Sequence, residues 1–129
     1  MSWYHAHIYF NTDDDSVRRA EDLWRKLGLA ERYPLEYRGE IERRIVGPHP
    51  LPQFEVHFRE KHLWDILPKL HGDRDGLSIL VHPVTPNDHE DHFTSAIWLG
   101  EPFRLDATKL DPPGMNKAFF RLGKEQFSH

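Results

Sequence analysis

Histidine is the residue type in this sequence best suited to chemistry, because ten histidines occur in a chain that has no cysteine. Disulfides, thiolate catalysis and Cys-ligated metal sites are therefore excluded, and any metal must be bound by imidazoles and carboxylates. Imidazole suits iron, zinc, copper and nickel, whereas magnesium and calcium prefer oxygen ligands. The composition therefore raises a metal site as a hypothesis without deciding it.

The spacing of these residues places several of them on one side of predicted strands. Alternation puts His5 and His7 on one face of the first strand, Glu55 and His57 on the same face of another, and His82 on that of a third. Three histidines, or two histidines with Glu55, would leave positions on an ion for substrate and dioxygen, as in non-haem iron oxygenases. A single strand histidine is more often a hydrogen-bonded surface residue, so the argument depends on the whole set.

Other polar and aromatic residues near this set have candidate roles in substrate binding. Trp3 and Tyr9 could stack on an aromatic substrate, and Arg59 could pair with a substrate carboxylate, with His57 on the same face. His49, between two prolines, is a candidate general acid or base, because the reference pKa of histidine is near 6.5. Packing or surface exposure would explain the aromatic residues and the arginine equally well.

The overall composition limits the classes of partner. Seventeen Lys and Arg residues and 21 Asp and Glu residues give a formal charge of −4, without a basic block that could follow phosphates. Nucleic acid is therefore not an expected partner. No apolar run approaches the roughly 20 residues that span a bilayer, and the N-terminal residues lack a signal-peptide pattern. We expect a soluble, cytoplasmic protein.

Alternating and helical periodicities predict the elements that position these residues. Strands are predicted over 3–10, 35–46, 53–59 and 77–82, and helices run from an acidic start at 13–16 to Leu27 and from Lys61 to Gly72. Gly28 is predicted to end the first helix in a left-handed conformation, and Pro68 is predicted to kink or restart the second helix. Residues 103–105 are predicted to form a further short strand. The order strand, helix, strand, strand, helix, strand predicts an α+β, ferredoxin-like split βαβ sandwich.

This fold predicts how the histidines converge. We expect an antiparallel sheet with two helices on one face, in which the first and third strands are parallel central neighbours and the fourth lies beside the first. His5, His49, Glu55 and His82 would then meet at one end of the sheet, with His7 one step deeper. The face with the histidines would stay open for a ligand or a second subunit, in a dimeric, barrel-like α+β assembly. The chain is treated as one domain, 1–129, with a core of about 3–106 and an extension of about 107–129.

The sequence resembles the DOPA 4,5-dioxygenase family in a set of segments spread over residues 3–106. These segments are Tyr4-His5-Ala6-His7-Ile8-Tyr9-Phe10, Gly47-Pro48-His49-Pro50, Leu80-Val81-His82-Pro83, Asp91-His92 and Trp98-Leu99-Gly100. The resemblance implies a ferredoxin-like fold and carries the family's histidine motifs onto His5, His7, His49, His82 and His92. It favours His5, His7 and His82 as ligands over Glu55 and His57.

The resemblance also implies an activity, namely Fe(II)-dependent extradiol cleavage of DOPA or a related catechol by O₂, with another metal such as zinc possible in the isolated protein. His49 or His92 would transfer protons, and Asp91 would fix an imidazole tautomer. Two alternatives stay open. One is a non-catalytic dimeric protein that binds a metal or a small aromatic ligand, and the other is a metal-independent enzyme that uses histidines as acid and base. The physiological catechol and the bond that is cut do not follow from the sequence.

Overall fold

The computed structural model describes residues 2–122, which form one five-stranded sheet with helices. The last residues of the predicted C-terminal extension, 123–129, lie outside the described residues, and His129 is among them. The strands are β1 (Trp3–Tyr9), β2 (Tyr37–Arg38), β3 (Gln53–Arg59), β4 (Ile79–Val84) and β5 (Ile97–Leu99). The α-helices are α1 (Asp14–Leu27), α2 (Leu63–Asp73), α3 (Asp88–His92) and α4 (Lys117–Phe120).

The sheet has the order β2-β3-β1-β4-β5, and every neighbouring pair in it is antiparallel. The predicted α+β class, antiparallel sheet and split βαβ unit are confirmed, because α2 connects β3 to β4 and β1 lies between them. The prediction that the first and third strands are parallel is wrong. Since β3 and β4 run in the same direction on either side of β1, β1 pairs antiparallel with both of them.

One face of the sheet packs against α1 and α2, as predicted. Buried apolar residues alternate along the three central strands and meet Leu23 and Leu27 of α1 and Ile66 and Leu70 of α2. The core residues in these strands or directly beside their ends are Ala6, Ile8, Phe10, Phe54, Val56, Phe58, Leu77, Ile79 and Val81. Because side chains alternate between the two faces of a strand, this packing forces the histidines to the other face.

The start of α1 agrees with the sequence pattern, and its end does not. The Asp13 carboxylate accepts a hydrogen bond from the Ser16 backbone N–H, which satisfies one of the first donors of the helix. Gly28 ends the helix with φ of −80°, so the predicted left-handed end is wrong. Within residues 2–122, no helix combines the length and apolar character that crossing a membrane requires.

The histidine face is covered by the chain itself, so the prediction of an open face is wrong. Loops and short helices from the C-terminal part of the chain lie over it, and they bring Leu105 against Tyr9 and Ala118 against Trp3. His5, His7 and His82 are at most 2% exposed. The side chains that would bind a metal therefore lie in the protein interior rather than on a subunit interface.

Three local predictions also differ from the structure. The predicted edge strand over 35–46 contains only β2 and an isolated bridge between Glu42 and Gln53. No strand forms at 103–105, and the fifth strand is instead Ile97–Leu99. Pro68 lies inside a continuous α2, which follows a 3₁₀ turn at Glu60–His62, so the predicted restart is wrong and the predicted kink stays a prediction. None of these differences moves the central strands that position the histidines.

Candidate metal centre

The pairing of β1 with its two neighbours builds the histidine cluster. On β1, His5 lies opposite His57 of β3 on one side and opposite His82 of β4 on the other. His7, two residues further on, lies opposite Glu55. The predicted proximity of His5 and His82 is therefore confirmed, and their ring centroids are 5.5 Å apart.

His7 and His82 approach each other through their ring nitrogens. Their Nε2 atoms lie 3.0 Å apart. The Nδ1 atom of His7 is 3.0 Å from Gln53 Oε1, and Nδ1 of His82 is 2.8 Å from the carbonyl oxygen of Pro83. Because an oxygen of this kind only accepts, both Nδ1 atoms must donate a proton. In the neutral rings, Nε2 then carries a lone pair.

Two lone pairs facing each other at this distance repel unless a cation lies between them. A proton shared by the two nitrogens would remove this repulsion and make one ring cationic. A metal ion bound by both nitrogens would remove it as well. Two nitrogens bound at right angles to one ion, at the roughly 2.1 Å typical of metal–imidazole bonds, lie about 3.0 Å apart. A ligand atom of His5 lies within 4.8 Å of those of His7 and His82, so the three imidazoles fit one ion. An oxygen acceptor on the second nitrogen is also the usual support of a metal-bound histidine.

Glu55 belongs to a second group of buried side chains beside the first. Its Oε2 atom lies 2.6 Å from His57 Nε2 and 3.6 Å from His5 Nδ1. The rings of His5 and His57 stack with centroids 3.7 Å apart. His5, Glu55 and His57 also have ligand atoms within 4.8 Å of one another. His5 is thus common to both groups. Glu55, which was predicted as a ligand together with His5, His7 and His82, lies closer to His57 than to His5.

His49 lies at the opposite end of β1 from the predicted position. Because β3 is antiparallel to β1, its first residue pairs with Tyr9, and the preceding loop brings His49 there. The ring of His49 is 4.2 Å from that of His7, and its Nδ1 is 2.7 Å from the Tyr9 hydroxyl. The predicted convergence of His49 with His5 is wrong, and His49 instead flanks His7.

His92 approaches the cluster from α3. Its ring lies 4.0 Å from that of His82, and its Nδ1 is 2.8 Å from the carbonyl oxygen of Asp88. Asp91 binds Thr85 through its backbone N–H and its hydroxyl, each at 2.7 Å, so the expectation that Asp91 fixes an imidazole is wrong. Burial raises the pKa of Asp91, against the lowering effect of the Thr85 hydrogen bonds.

The residues predicted to bind substrate are distributed around the cluster. The ring of Tyr9 packs against Trp98 and Phe103, and burial raises the pKa of its hydroxyl far above the usual value. The guanidinium of Arg59 lies 4.7 Å from the ring of Trp3. Their roles in binding stay predictions.

Gln53 is a further residue of the cluster that the sequence pattern did not single out. Gln53 is buried on the histidine face, and it holds the Nδ1 proton of His7. The alternation along 53–59 places it on that face, but a glutamine has no recognisable metal motif. The role of the Tyr9 hydroxyl was also missed, because it depends on where the loop with His49 lies.

Comparisons with known proteins find similar sequences and a similar fold. A sequence model of the Dopa 4,5-dioxygenase family matches residues 4–109. The chain is 31% identical to an uncharacterised 21.2 kDa protein of Botryotinia fuckeliana, over 89% of this chain and 67% of that protein. It is 30% identical to a DOPA 4,5-dioxygenase of Amanita muscaria, over 83% of this chain but only 49% of that protein. The crystal structure of a candidate dioxygenase from Nostoc punctiforme superposes with a TM-score of 0.74 at 31% identity, over 84% of this chain and 90% of that one.

Proposed function

The chain belongs to the DOPA 4,5-dioxygenase family, and we propose that it is an Fe(II)-dependent extradiol dioxygenase that cleaves the ring of a catechol. The observation that carries this proposal is the facing pair of His7 and His82, whose Nδ1 protons are held by oxygens so that both Nε2 atoms point at one place. A relative from Amanita muscaria that is named DOPA 4,5-dioxygenase makes DOPA the first catechol to test.

His7, His82 and His5 are the proposed ligands. The first two have their tautomers fixed, and His5 supplies the third nitrogen within reach. Glu55 is the alternative ligand in the second group, with His5 and His57, because its carboxylate lies 3.6 Å from His5 Nδ1 and is fully buried. An Fe(II) ion held in this way would supply the Lewis-acid and redox chemistry that ring cleavage by O₂ requires.

His49 is the proposed acid and base for the protons of the catechol. Its Nδ1 is bonded to the Tyr9 hydroxyl, which burial keeps protonated at neutral pH. This bond orients the ring and leaves proton exchange to Nε2. His92 is the second candidate for this role, because it lies on the other side of His82. The nearly complete burial of these rings excludes bulk water from the centre.

Anaerobic reconstitution with Fe(II) tests the proposal. Oxygen uptake and the yellow ring-opened product should appear with DOPA or another member of a catechol panel. His7→Ala and His82→Ala should lose stoichiometric iron, whereas His49→Gln should keep the iron and lose at least about 100-fold in turnover. His62→Ala, a histidine outside the cluster, serves as the control and should change neither. Bound iron without oxygen uptake on any catechol would refute the proposal.

The burial of the cluster also favours a second candidate function. His5, His7 and His82 are at most 2% exposed, which suits a protein that binds a metal such as zinc or a small aromatic ligand without turning it over. That function predicts tight metal binding and no oxygen consumption in the same experiment. The homodimer proposed from the sequence can be checked on the same samples by light scattering.

A further inference from the structure

A cavity of about 440 Å³ connects the surface with one wall of the histidine cluster. The loop over residues 45–50 forms one side, including Pro48 and His49, and the segment that contains Arg104, Asp106 and Lys109 forms the other. The backbone N–H of Asp106 donates to the carbonyl oxygen of Pro48 at 2.8 Å, so the two sides are held together. We call this cavity the mouth.

His49 makes the mouth relevant to the chemistry of the centre. It lines the mouth, and its ring lies 4.2 Å from that of the proposed ligand His7. A molecule in the mouth would therefore lie against the proposed acid–base residue. The mouth therefore offers an approach from the surface to His49 and, behind it, to His7.

The mouth is lined by more positive than negative charge. Arg104 and Lys109 are exposed, and within residues 2–122 neither forms an ion pair with a carboxylate. The one carboxylate that lines the mouth, Asp106, is engaged by the backbone N–H and hydroxyl of Thr108 at 3.0 and 2.6 Å. With Arg104, Lys109 and the Asp106 carboxylate, which also interacts with Lys109, the lining keeps an excess of positive charge that attracts an anion from solvent.

The larger cavity beside the mouth is less suited to an anion. It has a volume of about 710 Å³ and shares Arg104 with the mouth, but Asp13, Asp15 and Glu101 also line it. Arg19, its other cation, is paired with Asp15 at 3.0 Å. Arg59, which the sequence suggested for a substrate carboxylate, lies over the Trp3 ring instead. The charges of the lining residues therefore favour the mouth over the larger cavity as the binding site for an anion.

We infer that the mouth is the substrate entrance and that Arg104 and Lys109 bind a carboxylate carried on the side chain of the catechol, so that catecholic acids are preferred over neutral catechols. This inference rests on the proposed function, because it assigns the end of the substrate away from the diol. Under this inference, Arg104 and Lys109 determine specificity by binding the side chain of the substrate, and they do not contact the diol that reacts.

Binding and turnover of two compounds of matched shape test it, namely 3-(3,4-dihydroxyphenyl)propanoate and its neutral methyl ester. Anaerobic calorimetry on the metal-loaded protein should give a Kd about tenfold lower for the acid than for the ester. The Arg104→Gln/Lys109→Gln double variant should lose this preference, with the Kd of the ester unchanged. The Arg43→Gln/Lys61→Gln variant removes the same charge outside the mouth and should keep the preference.

The two measurements separate this inference from the proposed function. Equal affinity of the wild type for acid and ester, or a preference that survives in the Arg104→Gln/Lys109→Gln variant, overturns the inference even if both compounds are cleaved. Absence of oxygen uptake with selective, variant-sensitive binding of the acid refutes the proposed reaction and supports the mouth as a carboxylate site. In an active enzyme, the double variant should raise KM for the acid about tenfold with little change in kcat.

Discussion

The orientation of each imidazole is decided by the partner of its Nδ1 atom. Oxygens that only accept hold Nδ1 of His7, His82 and His92, and this leaves Nε2 as the donor atom for a metal. His49 differs, because its Nδ1 is bonded to a phenol hydroxyl, which can donate. The hydrogen-bond partners therefore distinguish the proposed ligands His7 and His82 from the proposed proton-transfer residue His49.

Gln53 provides the sharpest test of this division. Its side-chain oxygen accepts the Nδ1 proton of His7, whereas its Nε2 has no hydrogen-bond partner among the described residues. Gln53→Leu should weaken metal binding about 10- to 100-fold, because His7 loses the acceptor that fixes its tautomer. Gln53→Glu retains an acceptor and should keep the wild-type affinity or exceed it. Competition with a chromophoric chelator measures both.

The Gln53→Glu variant is the informative control, because it separates orientation from packing. If both variants weaken the metal equally, the role of Gln53 is one of volume alone, and the tautomer argument for His7 fails. Circular dichroism of the two proteins should match that of the wild type, since neither substitution changes a backbone donor.

At the scale of elements, alternation predicted the sides of the sheet but not the directions of its strands. The pattern of residues 3–10, 53–59 and 77–82 placed His5, His7, Glu55, His57 and His82 on one face, and the structure agrees. A two-residue period is unchanged when a strand is reversed. Direction depends on the connections around the whole sheet, so the position of His49 relative to β1 could not be read from the pattern.

The cover over the histidine face was also beyond the sequence pattern. It is made of short helices and loops, such as α3 and the segment around Leu105, without a sustained helical or strand period. Its burial depends on tertiary contacts with Tyr9 and Leu80, which alternation left on the open side. The cluster could therefore be predicted as a set of residues, but its enclosure could not.

An ion pair at the end of α2 makes a separate, pH-dependent prediction for the helical layer. Asp73 accepts hydrogen bonds from Arg32 Nε and the Tyr33 hydroxyl, each at 2.8 Å, and the Arg32 bond lowers the pKa of Asp73. Because a lowered carboxyl pKa stabilises the folded state above the unfolded pKa of about 4, this contribution is present at pH 7 and lost as the pH falls through the lowered pKa.

Asp73→Asn should lower the free energy of unfolding by about 1 kcal/mol at pH 7, a value kept small because Arg32 is partly exposed. The difference from the wild type should shrink as the pH falls through the lowered pKa of Asp73, below which the carboxyl group is protonated in both states. Urea unfolding at pH 7, 5 and 3 measures it, with Glu31→Gln as a control for loss of an exposed neighbouring carboxylate. A difference that is constant with pH would assign the effect to packing.

At the scale of the whole molecule, the fold buries polar groups that it must stabilise. Ionisable side chains cluster on one face of the sheet at no more than 2% exposure, among them His5, His7, His49, Glu55, His57 and His82. Buried polar groups of this kind cost free energy unless their partners are complete. A metal bound at the centre would therefore contribute to folding as well as to chemistry, because it binds the assembled site and not the separate histidines of the unfolded chain.

Zinc is the suitable probe of this coupling, because it has no redox chemistry and needs no anaerobic handling. At a free zinc concentration about 100-fold above Kd, binding to the folded state alone contributes about 2.7 kcal/mol. For a domain of this size, this raises Tm by about 10 °C relative to protein treated with a chelator. The shift should disappear in the His7→Ala/His82→Ala variant and persist in His62→Ala. A shift that survives the double substitution would place the stabilising ion elsewhere in the chain and remove the link between the central strands and the metal.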